Sequence, residues 1–267
     1  MNVPDPERTS SHVTRREAIA AETAKFVAAL AGASLATPVP SCPGWTLLDL
    51  VRHTGSVQRR FSALLREGFQ EPPRTREIGE LRLPDHEDGY PAWLTASAAE
   101  AAETFTAVDP DAPMWAWGAD QHARFWVRRM LFETLVHRTD AEMAVGIRPL
   151  VDPWLAADGV DEFLVNLPFA ASFAPEVARL RGQDETLLFR CTDSEAGWLV
   201  RLRPDGFSVE PAHGGPAAAT ASADAAIHAA AADLLLLVYG RLDHGSDAFT
   251  VHGDRDLLER WFAHSAF

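Results

Sequence analysis

The 267-residue chain predicts two folding units, an all-α four-helix bundle over residues 12–148 and an α+β domain over residues 149–267. Three observations lead there. Before Gly146, four segments repeat their apolar residues at the helical period and are separated by loops rich in proline and glycine. After it, apolar and polar residues begin to alternate in short runs bounded by turn residues. The hydrophobic fraction, 47%, is ample for a core in each unit.

Taken in order, residues 1 to about 11 are polar and read as a frayed end. From Thr14, the series Ile19, Thr23, Phe26, Val27 and Leu30 makes an amphipathic helix that Gly32 stops. The loop TPVPSCPGWT hands over to a second helix, where Thr46 and Asp49 form a capping-box start and Leu47, Leu50, Val51, Val57, Phe61, Leu64 and Leu65 carry the apolar series to Arg66. His53 falls within that series and is expected to point to the core. Residues 70–89 are charged and proline-bearing, an excursion at the bundle rim. A third helix, Pro91 to Val108, buries Leu94, Ala98, Ala101 and Phe105, with Trp93 at its edge. The fourth, Phe125 to Ala144, contains no glycine or proline and is apolar nearly all round, so its ionisable residues are expected to be buried.

In the second half, Asp152 and Pro153 open a helix that Pro168 closes. ETLLFRCT, GWLVRLR and GFSVE read as strands, the last two joined by a Pro204-Asp205-Gly206 turn. The alanine-rich run from Ala217 to Ala232 is read as holding a strand over Ala223 to Ala229, and Asp233 to Tyr239 as a helix. AFTVHG is a final strand, and Asp254 caps a last helix carrying Leu257, Leu258, Trp261 and Phe262.

Composition narrows the function classes. A net charge of −14 disfavours nucleic acid and anionic membranes as partners. Cys42 and Cys191 form no CxxC pair, which points to a reducing, cytoplasmic compartment. No apolar run approaches the roughly 20 residues of a membrane span, and MNVPDPERTS has no hydrophobic signal core. There is no HExxH and no glycine-rich phosphate loop.

On the fourth helix Glu133 and His137 stand one turn apart, where both can reach one cation. An unpaired buried carboxylate or imidazolium costs several kcal/mol, so such groups persist only where something compensates them. Adding His53 gives a His, His, carboxylate set that leaves room for water or substrate, as in a catalytic zinc site; Fe(II), Ni(II) and Mn(II) accept the same donors. The competing reading is a hydrogen-bonded Glu133–His137 pair inside an ionic network of Arg129 and Asp140. Arg129 shares the face of Glu133 and suits a substrate carboxylate, with an ion pair to Asp140 as the alternative. Asp140, a turn beyond His137, suits the orienting of its second ring nitrogen. Trp115, Trp117 and Trp126 line either a pocket or the core. Cys42 reads as packing, and no other histidine has a partner at ligand spacing.

The segments VPSCPGWTLLDLVRHTG (Val39 to Gly55) and RRMLFETLVHRTDAE (Arg128 to Glu142) resemble the mycothiol-dependent maleylpyruvate isomerase family. So do ADLLLLVYGRL (Ala232 to Leu242) and VHGDRDLLERW (Val251 to Trp261). The resemblance implies a DinB-like, metal-binding N-terminal bundle and a sterol-carrier-like C-terminal domain. By motif it places the metal ligands at His53, Glu133 and His137, and it gives Arg241, in the GR pair after the leucine helix, a part in the site, with a surface salt bridge as the competing reading. It implies a divalent metal, foremost zinc, with mycothiol as thiol cosubstrate. The activated thiolate would add to an electrophilic, carboxylate-bearing small molecule, giving cis–trans isomerisation or S-transfer, in a monomer or homodimer. A metal-dependent hydrolase using metal-bound water, and a non-catalytic small-molecule-binding protein, are the alternatives.

Overall fold

The computed structural model describes residues 6–74, 81–212 and 223–266, with side chains from residue 15 onward. Residues 1–5 of the polar start, 75–80 of the excursion and 217–222 of the alanine-rich run lie outside the described residues. Two compact units emerge: the described residues up to Ala116 with Asp120–Pro149, and Trp117–Ala119 with the described part of Leu150–Phe267.

The first unit is the four-helix bundle that the periodicity predicts: α1 (Pro6–Ala29), α2 (Leu47–Glu67), α3 (Tyr90–Ala107) and α4 (Ala123–Ala144). Each helix packs against two others, α1 and α2 both touching α3 and α4. Helix α1 begins at Pro6, well before the expected Thr14. At α2 the capping box is complete: the Thr46 hydroxyl accepts from Asp49 N–H, and the Asp49 carboxylate accepts from Thr46 N–H at 2.9 Å. Phe26, Leu47, Leu50, Leu94, Met130, Leu131 and Phe132 form the interior. Trp93, expected at an edge, is buried, because Gly55 lets its ring lie directly on α2; a Cβ at Gly55 would stand 2.2 Å from the Trp93 Cζ3 atom.

The bundle also buries charge. Arg138 is fully enclosed and is held by Glu22 at 2.6 Å and Glu142 at 2.7 Å. A buried guanidinium with two carboxylates is compensated where a lone one would be expelled or destabilising. Gln58 of α2, also buried, donates to Thr23 on α1 and Thr134 on α4.

The second unit starts with α5 (Pro153–Asn166), capped by Asp152, whose carboxylate accepts from Trp154 N–H. The α-helix ends at Asn166, just before Pro168 as expected, and Leu167–Ser172 and Pro175–Arg179 follow as 3-10 turns, whose first positions tolerate proline. There follow β1 (Thr186–Cys191), β2 (Gly197–Arg203), β3 (Gly206–Pro211) and β4 (Ala225–Ala229). Next come α6 (Ala231–Val238), β5 (Thr250–Gly253) and α7 (Arg255–His264). The sheet order is β3-β2-β1-β4-β5, with β1 and β4 parallel and every other pair antiparallel. Trp261 of α7 is buried, with its ring near Phe189 and Phe207 at 6.0 and 5.4 Å, closing one sheet face. Asp254 caps α7 through Leu257 N–H. Helices α5 and α6 pack together, and Tyr239 donates its hydroxyl to the buried Glu162 at 3.1 Å.

Among the described residues no helix is long and apolar enough to cross a membrane.

Candidate metal centre

The packing of α2 against α4 brings His53 beside Glu133 and His137. His53 Nε2 stands 3.4 Å from Glu133 Oε2, and His137 Nε2 stands 3.5 Å from the same oxygen. One donor atom from each of the three residues lies within 4.8 Å of the others. The two imidazoles meet edge to face at 4.8 Å between ring centroids.

That spacing fits a cation. Zinc bonds to nitrogen and carboxylate oxygen are about 2.0–2.2 Å long, so tetrahedral neighbours on one ion stand about 3.3–3.5 Å apart. Two of the donor separations already fall there, and a cation would be held by a neutral-or-anionic N, N, O set with at least one side free. His53 is less buried than its place in the apolar series predicts: its side chain is 37% exposed, against 21% for Glu133 and 11% for His137. Exposure thus falls from His53 through Glu133 to His137, and the group is reached by solvent at its His53 side.

Electrostatics are set by the residues behind the donors. Arg129 is buried and donates through Nη2 to Glu133 Oε1 at 2.5 Å. Burial alone would raise the Glu133 carboxyl, but the Arg129 charge and the contacts with His137 and His53 hold it well below the usual carboxylate range. Arg129, expected to clamp a substrate carboxylate or pair with Asp140, is paired here with Glu133. Asp140 is fully buried and accepts from His137 Nδ1 at 2.9 Å, leaving Nε2 on the donor side. Burial alone would lower the His137 pKa; its hydrogen bonds with Asp140, Cys42 and Glu133, with the Glu133 charge, push it up to about 10.

Two further residues reach the site without having been singled out for it. The Trp45 ring lies 5.9 Å from His137, near parallel at 29°, and 5.1 Å from His53 at 56°. The Cys42 thiol donates to Asp140 Oδ2 at 3.4 Å. Cys42, His137 and Asp140 also make a second group of donor atoms within 4.8 Å of one another. Both belong to the loop that enters the His53 helix and to the segment VPSCPGWTLLDLVRHTG that carries the family resemblance.

Arg241 belongs to the second unit, where its Nη1 donates to the Tyr239 carbonyl at 2.6 Å, beside a cavity that Asp243, His244 and Phe262 help to line. Trp126 is core, packed on Phe61 and Trp115 and donating to the Trp115 carbonyl. Trp117 sits in the second unit against Phe173. The rings of His228 and His252, expected to have no partner at ligand spacing, face each other across β4 and β5 at 5.4 Å between centroids and join no group of metal-ligating side chains among the described residues.

Fold and site together define a two-unit protein whose helical bundle gathers two histidines and a carboxylate in one group. Residues 16–142 match the model of the mycothiol maleylpyruvate isomerase N-terminal domain, and residues 155–260 match that of the C-terminal domain of the same enzymes. The chain belongs to the mycothiol maleylpyruvate isomerase family. Its fold is similar to the crystal structure of the mycothiol-dependent maleylpyruvate isomerase, with a TM-score of 0.57 and 15% identity over 90% of this chain and 92% of that one. A histidine-to-alanine mutant of that isomerase matches with the same values. No curated protein matches the chain by sequence.

Proposed function

We propose that the protein is a mycothiol-dependent metalloenzyme, with a divalent cation, foremost zinc, held by His53, Glu133 and His137. The observation that carries this reading is the donor spacing of 3.4 and 3.5 Å about Glu133 Oε2, in a family named for a thiol and an isomerisation. Bound there, the cation would supply the Lewis acidity that keeps a thiol deprotonated near neutral pH.

The protein's own groups prepare that chemistry. Arg129 keeps Glu133 ionised, so an anionic oxygen faces the donor space. Asp140 holds the ring of His137 by Nδ1 and turns Nε2 inward. His53, at the exposed side, leaves an approach for thiol and substrate.

The reaction is addition and elimination at an alkene conjugated to a carbonyl. The mycothiol sulfur forms a bond to one alkene carbon, and the π pair moves onto the carbonyl side. The carbon–carbon bond, now single, turns, and the returning pair expels the same thiolate. Atoms and charge balance, and the product differs only in geometry. With a leaving group or an epoxide in place of the alkene, the sulfur stays on the product and the outcome is S-transfer. A small-molecule electrophile is thus the partner. Cys42 and Cys191, neither of them in a disulfide, fit a reducing, cytoplasmic compartment.

The test is turnover of cis-enoate, epoxide and halide electrophiles by zinc-loaded protein, with and without mycothiol. Turnover that needs both zinc and mycothiol, and is lost in His53→Ala, is expected. Hydrolysis that proceeds without thiol, or failure to hold zinc, refutes the reading.

A further inference from the structure

We propose that the loop Val39–Trp45 is the supporting wall of the cation site, holding its two imidazoles in place through Trp45 and Cys42 without contributing a ligand atom. This rests on the metal reading above.

The loop is built to be rigid. Val39 N–H donates to the Trp45 carbonyl at 2.9 Å, Cys42 N–H to that of Val39 at 3.0 Å, and Trp45 N–H to that of Cys42 at 3.0 Å. Gly44 makes the turn at φ +85°, where a side chain would be strained. Val39 is buried in the bundle core, and the Thr46 capping box fixes the exit into α2. Leu47 N–H and Leu48 N–H donate back to the carbonyls of Thr37 and Leu35, tying the loop's two ends together.

From this frame two side chains reach the donors. The Trp45 ring lies along the face of His137 and leans on His53, so either imidazole would have to push the indole aside to rotate. The Cys42 thiol donates to the same Asp140 oxygen that accepts from His137 Nδ1. His137 is thereby held at its edge by Asp140 and on its face by Trp45, while Asp140 is anchored by Cys42. Rotation of the ring would carry Nε2 away from Glu133, so the loop fixes the donor triangle before any cation arrives. Such outer supports are worth about 10–100-fold in metal affinity.

The experiment is zinc affinity of the full chain, measured by competition with a chromogenic chelator, with circular dichroism melts to confirm folding. Trp45→Ala and Trp45→Leu are expected to bind zinc about 10–100-fold more weakly, whereas Trp45→Phe, which keeps a ring there, stays within about threefold of wild type. Cys42→Ala is expected to weaken zinc about tenfold, and Cys42→Ser, which keeps a donor to Asp140, to restore it. Cobalt(II) should quench tryptophan emission in the wild type, and Trp45→Phe should lose that quenching while still binding the ion. If Trp45→Ala does not fold, Trp45→Leu and the Cys42 pair decide. Wild-type affinity in Trp45→Leu and Cys42→Ala overturns the inference, as does abolished binding in Cys42→Ser, which would make Cys42 a ligand. A wild-type protein that holds no zinc brings down the metal reading first, and this inference with it.

Discussion

Glu133→Gln separates the two duties of this carboxylate, ion pairing and cation binding. The substitution keeps shape and an acceptor but removes the charge opposite Arg129, a buried guanidinium whose Nη2 lies 2.5 Å from Glu133 Oε1. Breaking a buried pair by removing one partner costs about 3–5 kcal/mol. Glu133 is 21% exposed and the amide oxygen still accepts, so the loss should sit lower, at about 2–3 kcal/mol. For a protein of this size that is a fall of about 4–12 °C in Tm. The second signature is zinc-linked. At zinc about 1,000-fold above its Kd the wild type gains about 4 kcal/mol from mass action, and the variant should lose most of that gain. Thermal melts in chelator and in excess zinc give both numbers. A variant that melts like the wild type in chelator and shows the full zinc-dependent rise would refute the reasoning.

Three other outcomes follow from the same contacts. In zinc-free protein the raised pKa of His137 contributes stability that is complete below its unfolded value near 6.5 and is lost as pH climbs through about 10. The lowered pKa of Glu133 contributes stability present above about 4.5 and lost as pH falls through its folded value. Urea unfolding against pH should thus peak between those limits, and His137→Gln should flatten the alkaline side. Gly55→Ala forces a methyl group into the Trp93 ring and should cost about 1–3 kcal/mol or more, read as a lowered urea midpoint. Arg138→Met removes the shared partner of Glu22 and Glu142, leaving Glu22 only its Lys25 contact at 2.7 Å, and should destabilise the bundle by about 3 kcal/mol, the low end for a broken buried pair, while zinc affinity per folded molecule stays unchanged.

Where local chemistry decides an element, the sequence shows it. The bounds of β2 coincide with GWLVRLR, and both Thr46 and Asp254 cap the helices they were expected to cap. Helix α1 starts early because its first turns are polar, and apolar periodicity is blind to a turn without apolar residues. The parallel pairing of β1 with β4 had no local signature, since the chain makes two antiparallel strands before returning. At the site, Glu133, His137 and Arg129 share one helical face, so their proximity was legible at four-residue spacing. The exposure of His53 was not, because the helical period gives direction around an axis but not distance from the bundle's open end. Trp45 and Cys42 were missed for a related reason: the His137 and Asp140 that they meet lie about ninety residues away, and only the fold brings them there.

The central claim is that one cation sits among His53, Glu133 and His137. Anomalous diffraction at the zinc absorption edge, from crystals of zinc-loaded protein, tests it most directly. The account predicts a single strong peak within bonding distance of His53 Nε2, Glu133 Oε2 and His137 Nε2. A peak held instead by Cys42 and Asp140, or no peak in the bundle from protein carrying stoichiometric zinc, would contradict it.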